Sequence, residues 1–150
     1  MTPRRRDESG QLTPLVIGFV VIVLLVVTVT ANASKAFLYR RSLASWADGA
    51  AIVAAQSVSE QAIYAGAVGE HLPLAESAAR AAVVDYVARN ELGGRFDDLT
   101  VVRVVVDPGT DAVTVGFAAR VPLIWANDTT ASFSRGIPVT AEASTIAVLR

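Results

Sequence analysis

The chain has no cysteine, and its 150 residues include one histidine and one methionine. Without cysteine there is no disulfide and no thiolate metal centre. A single histidine, His71, gives no multi-histidine metal site, and a Ser-His-Asp arrangement would rest on that one residue. An excess of one charge is also missing: 13 Lys and Arg stand against 14 Asp and Glu, for a net charge of −1. Nucleic-acid binders need a basic face, so no nucleic-acid partner is expected. Gly-x-Ser-x-Gly, His-Glu-x-x-His and Gly-x-x-x-x-Gly-Lys are absent. No catalytic residue, cofactor, metal or small-molecule substrate is expected, and the chain is not read as an enzyme.

What is abundant is hydrophobicity: 53% of the residues are apolar, and mean hydropathy is +0.47. Much of it is concentrated in Leu15 to Ala33, LVIGFVVIVLLVVTVTANA, which carries no charge. A helix over 15–33 is roughly 28 Å long at about 1.5 Å per residue, against about 30 Å of bilayer hydrocarbon. Each of Leu15, Val16, Ile17, Phe19, Val20, Val21, Ile22, Val23, Leu24, Leu25, Val26 and Val27 favours insertion by about 0.3–0.6 kcal/mol when central in a span. The β-branched content would suggest a buried strand in water. In lipid only a helix or a closed barrel satisfies the backbone, and one segment closes no barrel. The expected boundaries are a polar tail over 1–13, a transmembrane helix over 14–33, and a domain over 34–150. Arg4, Arg5 and Arg6 on one side balance Lys35, Arg40 and Arg41 on the other, so charge counting leaves orientation open. The short tail is the natural cytoplasmic piece. The expectation is a single-pass protein of the cytoplasmic membrane, N-terminus inside and domain outside.

Beyond the span the pattern stays helical. Residues 34–65 lack proline and are dense in alanine, the best helix former. Ala44, Ala47, Ala51, Ala54 and Val58 recur at helical spacing as one stripe, so the span is expected to continue as a stalk. Tyr39 and Trp46 either mark the membrane interface, with Lys35, Arg40 and Arg41 reaching head groups, or pack on the domain. Gly66 and Gly69 break the helix, and Pro73 suits the first turn of a second. Ala75, Ala79, Ala82, Val83, Tyr86 and Val87 form its apolar face, and Gly93-Gly94 are expected to end it. The period then becomes two. Leu99 to Val106, Val113 to Val121 and Pro138 to Leu149 read as strands of an antiparallel meander, with a turn at 107–111 and a loop over 123–136. The fold class is α+β: two Ala-rich helices covering about three strands.

Ser9-Gly10-Gln11-Leu12-Thr13-Pro14-Leu15, then Tyr39-Arg40-Arg41-Ser42-Leu43, then Ala47-Asp48-Gly49-Ala50-Ala51 give the first third a recognisable order. It resembles the TadE/TadG-like family of bacterial Tad (Flp) pilus-assembly proteins, most closely the TadG-like N-terminal segment. The resemblance covers roughly residues 9 to 56. It implies a pilin-like layout and a membrane-anchored accessory subunit of a pilus or secretion machine, with lipid and other assembly subunits as partners. TadE-like pseudopilins carry a glutamate five residues after the cleavage-site glycine, and that position here is Leu15. The uncleaved, TadG-like form therefore fits better.

Two other readings stand beside this one. Ala31-Asn32-Ala33 could end a cleaved signal peptide of 33 residues, leaving a secreted protein. The domain could also be an anchored ligand-binding module. Candidate partner contacts are Ala47, Asp48 and Ala51 on the stalk, and Trp125 and Phe133, which with Leu123 and Ile124 either form an exposed apolar patch that docks a subunit or fold back as core. Asp107 and Asp111 suit either a hairpin turn or a calcium ion. Asn127-Asp128-Thr129 matches a glycosylation acceptor.

Overall fold

The helix that begins in the apolar run does not stop where the run stops. In a computed structural model, which describes residues 9–65, 72–124 and 136–147, α1 covers Ser9–Ala65. Two further helices and three strands follow: α2 (Leu72–Arg89), α3 (Leu92–Arg95), β1 (Asp97–Asp107), β2 (Ala112–Val121) and β3 (Ile137–Ile146). The chain divides into two units, Met1–Ser34 and Lys35–Arg150.

In the first unit the valine-rich sequence is helical because β-branching lowers helix propensity only slightly, by well under about 1 kcal/mol per residue. The polar side chains near its end bond inside the helix. Thr28 Oγ1 donates to the Leu24 carbonyl at 2.8 Å, Thr30 Oγ1 to Val26 at 2.8 Å, and Asn32 Nδ2 to Thr28 at 3.0 Å. Such i−4 bonds leave those donors satisfied without water.

In the second unit the sheet has order β1-β2-β3, all antiparallel. One face is covered. Val104 and Val106 of β1, Val113, Val115, Phe117, Ala119 and Val121 of β2, and Val139, Ala141 and Ala143 of β3 are buried. Against them sit Leu43, Ala47, Ala50, Ala51, Ala54, Ala55 and Val58 of α1, with Ala79 and Val83 of α2. The helical residues of this core are mostly alanine, whose short side chains permit close packing.

Two register shifts adjust β1. Val101 pairs with Phe117 and Arg103 with Gly116, which leaves Val102 as an extra residue. Leu99 and Val101 face inward before the shift, Val104 and Val106 after it. Strict alternation from Leu99 would have turned Arg103 into the core. The bulge keeps it out. Arg103 then reaches Glu142 of β3 at 3.8 Å, across Gly116 on the middle strand. A Cβ on Gly116 would lie 3.2 Å from side chains of both Val102 and Arg103 and 3.3 Å from Glu142. Pro138 lies on β3, an edge strand, where a missing N–H is tolerated.

Gly93-Gly94 do not end the second helix. It stops at Arg89, and Glu91, not glycine, takes the left-handed conformation at φ 52°. The glycines lie in the following turn α3, exposed on both positions. Leu92 explains the earlier stop. It is fully buried, and reaching the core from α2 requires the chain to reverse one residue before it. Asn90 secures the break: its backbone N–H and its Nδ2 both donate to the Tyr86 carbonyl, at 3.1 and 2.8 Å.

Candidate functional site

Three surfaces answer to the residues expected to carry function. The first is the apolar run. Leu15 through Val27 are all exposed in the first unit, from 42% at Val23 to 70% at Leu15. An uncovered surface of this size is far beyond what a protein surface in water exposes contiguously. The helix is long and apolar enough to cross a membrane, and no part of its most hydrophobic window is buried in the protein's core. The core helix of a soluble domain would be covered instead.

The second is the alanine stripe of α1. Ala47 and Ala51 are 0% and 1% exposed, packed within the chain's own core. Asp48 is open to solvent. Of the third group, Trp125 and Phe133 lie outside the described residues, as do His71 and Asn127-Asp128-Thr129. Leu123 is half-buried and Ile124 exposed.

Tyr39 and Trp46 of α1 pack within the domain. The Tyr39 ring meets Phe96 edge-on with centroids 5.0 Å apart, and its hydroxyl accepts the Asp97 N–H at 2.8 Å. Burial raises the Tyr39 pKa, the Asp97 amide opposes that rise, and the nearby Asp97 charge adds to it. Trp46 packs on Tyr86 at 6.1 Å, and the Arg95 guanidinium lies 5.5 Å from the Trp46 ring. Tyr86 is raised as well, by burial. Gly49 lies under the same ring, where a Cβ would collide with the Tyr86 hydroxyl. Lys35 Nζ donates to the Pro122 carbonyl at 2.7 Å.

At the turn, Asp107 Oδ1 accepts the Gly109 N–H and its Oδ2 accepts the Thr110 hydroxyl, both at 2.9 Å. These bonds, the Gly109 amide first, lower the Asp107 pKa. Asp111 takes a left-handed conformation, φ 53°, and its carbonyl accepts the Ala147 N–H at 2.8 Å. Both carboxylates therefore sit in a hairpin of the kind aspartate favours. Among the described residues no cluster of acids or histidines is arranged to hold a metal. An open groove of about 570 Å³ runs between α1 and the end of β3, lined by residues that include Ile52, Gln56, Glu60 and Ile146. Among the described residues its one ionisable side chain is Glu60.

Contacts not anticipated include Gly49 beneath Tyr86 and Lys35 on Pro122. The first had a signal, since a glycine within an alanine-rich helix weakens it unless something must come close. The second had none, because it joins residues far apart in sequence.

No curated protein and no solved structure matches this chain. Residues 10–57 match a family model described as "Putative Flp pilus-assembly TadE/G-like", the segment that runs from the start of the apolar helix to the end of the alanine stripe. The N-terminal third of this chain is thus similar to the TadE/G-like segment of that Flp pilus-assembly family.

Proposed function

We propose that this protein is a membrane-anchored, pilin-like accessory subunit of a Tad/Flp-type pilus or secretion machine. It has a structural role, not an enzymatic one. The first 13 residues form a cytoplasmic tail, 14–33 cross the cytoplasmic membrane once, and 34–150 form an extracytoplasmic α+β domain. It works through helix packing and surface contacts with lipid and with other assembly subunits.

One observation carries this reading. A single helix, α1, leaves its early apolar side chains uncovered, while its later residues form one wall of a folded core. That arrangement suits a domain displayed from a bilayer. The TadE/TadG-like segment supplies the machine. Asp48, exposed on α1, and the apolar residues Trp125 and Phe133 are the proposed contacts with partner subunits.

The test is fractionation of cells carrying the full chain tagged at either end. The protein is expected in the membrane pellet after alkaline extraction. Protease added to spheroplasts is expected to remove the C-terminal tag and spare the N-terminal one. Copurification with the pilus ATPase and platform proteins is expected from detergent extracts. Recovery in the soluble fraction overturns the anchor. An inserted protein that binds none of that machinery overturns the accessory role.

A further inference from the structure

We propose that one end of the second unit is a foot that lies against anionic lipid headgroups, an inference that rests on the membrane-anchor reading above. The foot is assembled from parts distant in sequence. The bond from Lys35 to the Pro122 carbonyl brings the start of the second unit's helix to the end of β2. Pro122 leads into Ile124, and Val121 is paired with Ile137 at the start of β3. Ile124 and Ile137 are both exposed, and so are Phe37 and Leu38 on α1, at 66% and 63%. Four large apolar side chains therefore share this end of the unit, at a level set by Lys35.

Charge accompanies them. Arg40 and Arg41 are exposed and form no ion pair among the described residues. Lys35 uses one of its three donors on Pro122. Among the described residues the acids at this end are Asp98, held by Arg120 at 3.2 Å, and Asp97, exposed beside it. Helical side chains tilt toward the helix N-terminus. Phe37 and Arg41 lie about 3 and 9 Å beyond Lys35 along α1, so the arginines lean back toward the level of Lys35. Their guanidinium groups match phosphate oxygens in a fork, and their stems rest on apolar surface. Basic groups beside exposed isoleucine, leucine and phenylalanine complement a surface that is anionic outside and greasy beneath.

The chain has no cysteine, so single probes are easily placed. Leu38→Cys, Ile124→Cys and Ile146→Cys are each labelled with a fluorophore in the full chain. The proteins are reconstituted into phosphatidylcholine vesicles with or without phosphatidylglycerol. Headgroup-spin-labelled lipid is the quencher. Ile146 is the far reference, roughly 30 Å from Ile137 along β3. Probes at 38 and 124 are expected to quench several-fold more than the probe at 146, and more strongly with phosphatidylglycerol present. Replacing Arg40 and Arg41 together by glutamine is expected to weaken that lipid preference by about fivefold per charge removed.

Equal quenching at 124 and 146, in protein that resists alkaline extraction, overturns the foot and leaves the anchor standing. Equal quenching in the two lipid compositions overturns its anionic partner. So does inorganic phosphate reproducing the effect in vesicles without phosphatidylglycerol. Disulfide-linked copies through Leu38→Cys, with no quenching, assign the surface to a second copy instead. Protein that fails to insert at all overturns the anchor, and the foot falls with it.

Discussion

Gly49→Ala tests how tightly α1 and α2 are held together. A methyl group there would overlap the Tyr86 hydroxyl and lie 3.1 Å from Cζ of the same ring. Tyr86 has little room to retreat, because Trp46 packs on it at 6.1 Å. Overpacking of this kind costs about 1–3 kcal/mol. Alanine returns up to about 1 kcal/mol through helix propensity. The expected net is a loss of about 1–2 kcal/mol, a fall of about 4–8 °C in melting temperature at about 4 °C per kcal/mol. Tyr86→Phe removes the overlapping oxygen. In that background Gly49→Ala should cost at least about 1 kcal/mol less, a coupling that a double-mutant cycle resolves. The assay is thermal unfolding of the full chain in detergent, followed by fluorescence. Trp46 lies at the contact, and Trp125→Phe leaves it as the only tryptophan. If Gly49→Ala melts at or above the parent temperature, or costs the same with phenylalanine at 86, the close approach is not what constrains this helix pair.

Other perturbations probe separate parts of the protein. Tyr39→Phe leaves the Asp97 N–H without its acceptor and should cost about 0.5–1.5 kcal/mol. Because the folded Tyr39 pKa stands above the ordinary 10.0, its contribution is complete below pH 10 and fades as pH rises through the higher folded value. The variant should therefore show a shallower alkaline loss of stability; an unchanged alkaline limb refutes the assignment. Glu91→Gly relieves a left-handed residue that carries a side chain, and should raise stability by about 0.5–1 kcal/mol; a lower melting temperature would mean that the Glu91 side chain contributes more than its conformation costs. Val23→Arg places a charge in the middle of the apolar run at a cost of about 2.5–3.5 kcal/mol for insertion, and should shift protein out of the alkali-resistant membrane pellet. N-terminal sequencing of the mature protein should not begin at Ser34, the residue that signal-peptide cleavage after Ala33 would expose.

The sequence by itself determined the elements whose physics is local or nearly so. An uncharged apolar run needs no partner to declare itself, because its length and composition already meet the requirements of lipid. The alanine stripe of 44–58, the apolar face of α2 and the alternation in β2 are periodic, and each period names its own inward side. The resemblance over roughly residues 9 to 56 is legible for the same reason, since its motifs are contiguous. Tertiary structure decided what depends on two segments at once. The bulge at Val102 reverses the inward phase of β1 so that Arg103 stays outside, a choice made by pairing with Gly116 and not by the LTVVRVVV sequence. Helix α2 stops before its glycines because Leu92 must reach the core. Tyr39 and Trp46, open to either of two surroundings in the sequence, turn toward Phe96, Asp97, Tyr86 and Arg95 because those residues fold back beside them. Ala47 and Ala51 are filled against the chain's own core, while Asp48 between them remains outside, for a helix shows successive residues to different neighbours and only packing chooses which face is covered.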